Sequence, residues 1–268
     1  MSDSGYFTDA SMLRVVQREY VVAFSGARAL LMQAAHPVAF AGFFAHTGAL
    51  DEPYERLSRT ARVMETITFG TRVDADRATR RVRAMHRRVS GVLAEPAGRF
   101  PAGTPYAADD PELLMWVLAG LMDSALVTYE RYVRRLSREE RERLWQDYRV
   151  VGGLLGLRPK QMPADSDAFC IYMDDMLSGG DLLVTDSARS LAKRIVLHPP
   201  VPLPARPLLE LVNFIIVGLL PPDIRRQYHL YWDPARSLAL HGGARYTRRV
   251  LLPLLPSRLR YVPAARAA

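Results

Sequence analysis

Residues 77–91 read RATRRVRAMHRRVSG, from Arg77 to Gly91. Ala78, Val82, Met85 and Val89 recur at three- and four-residue spacing and continue to Val92, the period of one face of an α-helix and not of a strand. Arginine fills most of the other positions. One imidazole stands among them: His86 shares a side with Val82, Val89 and Leu93, which turns the ring inward at the edge of the apolar stripe. Such a histidine is ordinarily a core residue bonded to a carbonyl, and its arginine neighbours are a solvated helix face. The functional alternative is a ligand to a metal, with the arginines holding something negatively charged.

The same period extends outward. Leu13, Val16, Tyr20, Ala23, Ala27, Leu30, Leu31 and Ala34 follow one helix face, which Pro37 stops or kinks. The short apolar segment VAFAGFFAHTG follows and ends at Gly48. Asp51 and Pro53 then start a helix that carries Arg56, Thr60, Val63 and Ile67 and stops at Gly70. The His86 helix is expected from about Asp74 to Val92. Residues 94–108 are rich in Pro, Gly and Ala and read as a loop. Asp110-Pro111 opens a long apolar helix, and Ser137 with Glu140 has capping-box spacing for the next, which Gly152, Gly153 and Gly156 end or loosen. Further helices are expected near 166–177, 186–197, 206–219 and 234–250, with a proline-rich connector at 198–207. No alternating strands, hairpins or repeats stand out. The expected class is all-α: a flexible N-terminus over 1–10, one helical domain over 11–253 and an irregular tail over 254–268.

Composition narrows the function. The chain has 268 residues, 49% hydrophobic and 24% charged, enough for a sizeable core. Its formal net charge is +8, nearly all arginine, since only Lys160 and Lys193 are lysines. The arginines are interleaved with acids, as in SREERERLWQDYR, and no nucleic-acid motif accompanies them, so no nucleic-acid partner is expected. Cys170 is the single cysteine, which excludes an intrachain disulfide, and its setting FCIYMDDM reads as a buried helix position. The N-terminus lacks the pattern of a signal peptide, and the apolar run near 208–220 is too short to span a bilayer. The expectation is a cytoplasmic protein, with peripheral contact at a membrane surface left open. No GxGxxG, phosphate loop, GxSxG, DDxxD or ExxH pattern is present.

Of the six histidines, His46 and His241 precede glycines and read as helix ends. His198 opens the proline connector and His229 sits near a turn. His36, in QAAHPVAFAGF, lies where a polar ring must find a partner or line a cavity. Arg56 and Thr60, one turn apart, share a face with Val63 and Ile67. Ordinarily Arg56 would reach solvent or pair with Glu52 or Asp51, and Thr60 would bond back to its own helix. Read together with His86, they suggest a wall for one large apolar ligand bearing two carboxylates. Haem has that chemistry: an iron that takes an imidazole, propionates that take guanidinium forks, and an apolar macrocycle.

The segments QAAHP (33–37), DEPYERLSRT (51–60), FG (69–70), AMHRRVSG (84–91), PYAADDPELLMWV (105–117) and LLPPDIR (219–225), in this order and spacing, resemble the haem-containing oxygenases. That family is typified by the latex-clearing rubber oxygenase and by the fungal oxygenase that cleaves an isoprenoid side chain in mycophenolic acid synthesis. The resemblance implies an all-α domain with a globin-like core around haem b. It implies that His86 is the axial ligand of the iron and that Arg56 and Thr60 are the arginine–threonine pair beside the haem. Arg59 falls where the rubber-cleaving enzyme has a lysine near the open coordination site. No acidic residue matches that enzyme's upstream glutamate, and Trp116-Val117-Leu118 stands where many relatives have WVH. His36, or next to it His46, is the nearby titratable group, and His36 is the candidate acid–base residue. Arg87, Arg88 and Arg225 are further candidates for the propionates, and Met64, Phe40 and Phe43 for a substrate pocket. The expected activity is oxygenation, or peroxidase-like chemistry, of a hydrophobic small molecule with dioxygen or peroxide, olefin cleavage included. A non-catalytic haem carrier or sensor, and a haem-free helical protein that binds a lipid or a protein partner, are the alternatives.

Overall fold

The computed structural model describes residues 4–46, 53–198 and 201–267, and the side chains of 4–42, 58–198 and 201–266. Helices dominate them: α1 Met12–Gln17, α2 Tyr20–Ala23, α3 Ser25–Ala34, α4 Pro37–His46, α5 Pro53–Phe69 and α6 Arg72–His86 come first. A short antiparallel hairpin follows, β1 Ser90–Val92 with β2 Pro105–Ala107, in which Gly91 faces Tyr106. Then come α7 Pro111–Tyr132, α8 Arg138–Leu155, α9 Ser166–Ser178, α10 Asp186–Leu191, α11 Arg206–Leu219, α12 Pro222–Gln227 and α13 Pro234–Tyr246. The class is all-α, as the hydrophobic period predicts.

The core is organised around α7, which packs against α2, α3, α4 and α8. Trp116, Leu118, Ala119, Met122 and Ala125 are at most 1% exposed along it, and Leu31 and Met32 of α3 and Leu144, Trp145 and Tyr148 of α8 are equally buried. Burial of large apolar groups contributes on the order of 1.5–3 kcal/mol each, so this seam supplies much of the stability. By length and composition α7 could cross a bilayer; here it is the central helix of a packed core. Buried polar groups fasten the seam. Arg28 of α3 donates to Asp123 Oδ2 and Ser124 Oγ of α7, both at 2.7 Å, and to the Leu219 carbonyl at 2.8 Å. The Ser137–Glu140 capping box forms in both directions at the start of α8.

Several local expectations need correction. The stretch 13–34 is three helices, because Glu19 adopts an extended conformation and bridges Tyr261 in the C-terminal segment. The glutamate is 1% exposed and takes three hydrogen bonds from Arg260 at 2.7–3.1 Å. That ion pair also docks the tail, which holds short helices at Ser257–Arg260 and Pro263–Ala267 where irregular chain was expected. At the other end Phe7 is buried and Tyr6 donates to Asp76 at 2.6 Å, so residues 5–8 are fastened to the domain. VAFAGFF is helical, and the segment 90–107, expected as helix end and loop, closes into the hairpin. Cys170 is exposed: α9 turns Phe169 and Met173 inward, which leaves the neighbouring position outside. His241 lies inside α13, exposed, with Nδ1 2.6 Å from the Ser237 carbonyl oxygen, and does not mark a helix end.

Candidate functional site

α5 ends at Phe69, and Gly70 and Thr71 connect it to α6. Thr71 caps α6, accepting the Asp74 N–H at 3.1 Å. This short connection makes the two helices neighbours, and they pack against each other. On α6 the inward stripe is Ala75, Thr79, Val82 and His86, at spacings of four, three and four. Ala75 and Thr79 are at most 1% exposed, whereas Val82 and His86 are half-buried. On α5 the corresponding stripe is Thr60, Val63, Met64, Ile67 and Thr68. Ile67 and Thr68 are at most 2% exposed, Val63 and Met64 are half-buried and Thr60 is exposed. On both helices the stripe is buried near the connection and more exposed away from it. Thr60 and His86 each stand toward the more exposed end of their stripe.

His86 is the last residue of α6, and its position is more central than the sequence suggested. Met85, expected in the apolar stripe, is 52% exposed, so the stripe is rotated by about 100° and the imidazole lies within it. Nδ1 of His86 is shielded from solvent. The chain turns immediately after the ring, the Val89 N–H donating to the His86 carbonyl at 2.9 Å. Two outside elements hold this turn. Arg83 donates to the Leu154 carbonyl at 3.2 Å, fastening α6 to α8. Gly42 of α4 lies over Val89 so closely that an added Cβ would stand 2.7 Å from a Val89 methyl and 3.3 Å from the Tyr106 ring. A side chain at position 42 would push α4 off the turn that carries His86.

Beside this inner surface an open groove of about 390 Å³ is lined by Arg81, Ala84, Met85, Arg88 and Val89. His86 does not line it, since its Cβ points roughly 100° away from that of Met85. Arg59, Arg87 and Arg88 are exposed, Arg87 capping α6. Arg56 belongs to α5, but its side chain, like those of Phe43 and His46, lies outside the described residues. Phe40 is 6% exposed in the main core. Arg225 is not brought to this site: it lines a different pocket, together with Arg28, Trp232 and His241.

His36 receives a local task that its sequence setting only hinted at. It precedes Pro37 at the head of α4, and its Nδ1 accepts the Ala39 N–H at 3.3 Å, as an N-cap side chain does. The ring is 7% exposed, 5.5 Å from the Phe100 ring and 6.5 Å from that of Trp116. Burial pushes its pKa below the usual histidine value, against the nearby Asp181 carboxylate, which raises it. A neutral imidazole with Nδ1 accepting carries its proton on Nε2. Six residues separate it from Gly42, about 9 Å along the helix.

The donor set limits which cofactor fits. Among the described residues no group of three His, Cys, Asp or Glu side chains converges, so a bare ion finds no cage of such ligands. Haem needs less: it brings its own equatorial nitrogens and asks the protein for one imidazole, apolar helix faces and cations for two carboxylates. His86, the half-buried Val63, Met64 and Val82, and Arg59, Arg87 and Arg88 match that list. Beyond these groups, the structure adds the burial of Ala75 and Thr79 and the contact between Gly42 and Val89. The first was visible as the spacing 75–79–82–86. The second joins distant segments and left no local signal.

The profile of a protein family described as "ER-bound oxygenase mpaB/B'/Rubber oxygenase, catalytic domain" matches residues 13–249 of this chain. Similar proteins include "Uncharacterized protein Mb2261" of Mycobacterium bovis and "Uncharacterized protein Rv2237" of Mycobacterium tuberculosis. Each is 27% identical over 188 residues, covering 69% of this chain and 69% of the relative. No solved structure matches.

Proposed function

Because this chain belongs to the catalytic-domain family of the ER-bound oxygenase mpaB/B' and the rubber oxygenase, we propose that it is a haem b-dependent oxygenase acting on a hydrophobic small molecule. One observation carries the reading: along the packed helices α5 and α6 the stripes are buried near the connection and more exposed away from it, where Thr60 and His86 stand. In the proposal His86 holds the iron through its imidazole, and the shielding of Nδ1 keeps that nitrogen out of competition with solvent. Arg87 and Arg88, with Arg56 and Arg59 on the opposite helix, hold the propionate carboxylates, for which a guanidinium fork is the suited donor. Val63, Met64 and Val82 cover the macrocycle and exclude water.

When bound, haem supplies the activation of dioxygen or peroxide that no side chain provides. The chain's own work is orientation and proton control. Thr60 presents a hydroxyl, able to donate or accept, at the mouth of an apolar surface. The open groove along Met85 and Val89 offers apolar surface to a substrate without charges of its own. His36, the candidate acid–base group by sequence, is held as the N-cap of α4, and the proposal leaves it in that positioning task.

The test is the visible spectrum of the full chain produced with ample iron, followed by titration with hemin. A Soret band in the wild type that His86→Ala abolishes or strongly shifts supports the reading. Thr60→Val should keep the band and slow turnover of an olefinic substrate. A colourless protein that stays colourless with hemin, or a Soret band unchanged in His86→Ala, overturns it.

A further inference from the structure

A second pocket, of about 300 Å³, lies on another part of the molecule, between α7, α11, α12 and α13. Arg28, Arg131, Arg225 and His241 face it, with Trp232 and Leu240 as apolar lining, and no carboxylate side chain lines it. Its aromatic wall is built in. Trp232 lies so close to Gly218 that a Cβ there would stand 2.5 Å from the indole, and its Nε1–H donates to Ser237 Oγ at 2.8 Å.

The cations of this pocket are unequally balanced. Arg28 is neutralised by Asp123. Arg225 is not: its guanidinium lies 4.9 Å over the Trp232 ring and reaches the Val217 and Gly218 carbonyls only at 3.4 and 3.5 Å. The acids on its flanks are occupied elsewhere, Asp223 with Arg226 and Asp233 with Arg236. The Arg131 side chain makes no ion pair or hydrogen bond among the described residues. Desolvation lowers the pKa of Arg225, in keeping with a cation that has no anion beside it. Two unpaired guanidinium groups therefore converge on one concavity with an indole wall, although a half-buried cation ordinarily acquires a partner.

We infer that this pocket is a second ligand site, built for an organic anion: a carboxylate or phosphate head held by Arg131 and Arg225, with a short apolar stem against Trp232 and Leu240. Each guanidinium offers a planar fork, the geometry that binds such heads in pairs of hydrogen bonds. The volume is at the low end for small-molecule sites and suits a short stem. The site shares no lining residue with the groove beside α6, so the inference does not rest on haem binding.

The experiment is calorimetric titration of the full chain with octanoate, octyl phosphate and octanol, which share a stem and differ in the head. The expected result is saturable binding of at least one anion and none of octanol. The arm that binds tighter identifies the head as carboxylate or phosphate. Arg131→Gln removes no contact of the fold, so it should leave the melting temperature unchanged and weaken binding about tenfold or more, the loss of one charge-assisted hydrogen bond. Arg225→Gln should weaken it further and Arg225→Lys less. Octanol binding equal to that of the anions, undiminished binding in Arg131→Gln, or no saturable binding of either anion would each overturn the inference.

Discussion

Gly42→Ala tests the contact that holds the His86 turn. The added methyl would stand 2.7 Å from a Val89 methyl, where ordinary contact is about 3.5–4.0 Å, so α4 or the turn must move by roughly an ångström. Overpacking of this kind costs about 1–3 kcal/mol. The same substitution gains about 1 kcal/mol of helix propensity, because Gly42 lies inside α4. The net expectation for the single variant is a loss of about 0–2 kcal/mol, which by itself decides little. Val89→Ala removes the obstructing methyl, and in that background Gly42→Ala should become stabilising by about 1 kcal/mol. The coupling between the two sites is then about 1–3 kcal/mol, well outside the few tenths expected of independent positions. Urea denaturation of the four proteins gives this number, and hemin titration of the same set reports whether the shift reaches His86. Additive effects, or a Gly42→Ala that stabilises as much beside valine as beside alanine, would refute the close packing of α4 on the turn.

Other perturbations address the remaining joints. Arg260→Ala leaves Glu19, 1% exposed, as an uncompensated carboxylate, and because Arg260 is itself 26% exposed the loss should be at the low end of the range for buried pairs, about 3 kcal/mol. Thermal melting should fall by roughly 6–12 °C, and a fall under ~2 °C would contradict the docking of the tail. His36→Asn keeps an N-cap acceptor and should retain stability within a few tenths of a kcal/mol, whereas His36→Ala should cost about 1 kcal/mol; equal losses would remove the capping role. The Arg134 guanidinium and the Ser137 backbone N–H hold Glu140 down to about 2. A depressed carboxylate adds stability above its unfolded pKa and loses it as pH falls through the folded value, so this contribution should fade between about pH 4.5 and pH 2. Arg134 is 47% exposed, which limits the pair to about 1 kcal/mol. Glu140→Gln should flatten the stability curve over that window, and an unchanged slope would show that the pair is screened away.

The site was only partly legible in the chain. Spacing puts Arg56 and Thr60 on the face of Ile67, which is buried, and His86 beside Val82, which is half-buried, while the Arg56 side chain lies outside the described residues. The rotation of the stripe is not legible in the chain, because Met85 looks as apolar as a core residue, and only the tertiary packing shows that it faces outward. Histidine at position 36 reads in sequence as a possible proton carrier, and its capping bond to Ala39 depends on backbone geometry. Cys170 and His241 were misplaced for the same reason: neighbouring helix positions differ by about 100°, and local composition does not say where zero is.

Helix class and caps lie within the sequence, because they rest on interactions between residues a few positions apart: Ser137 with Glu140, Asp110 before Pro111, Thr71 with Asp74. What closes against what was decided by contacts between residues far apart in the chain. Glu19 meets Arg260, Gly42 meets Val89, and Arg225 leaves the expected haem site for a pocket walled by Trp232. Such contacts follow from shape and desolvation summed over the whole core, and no local period carries that sum.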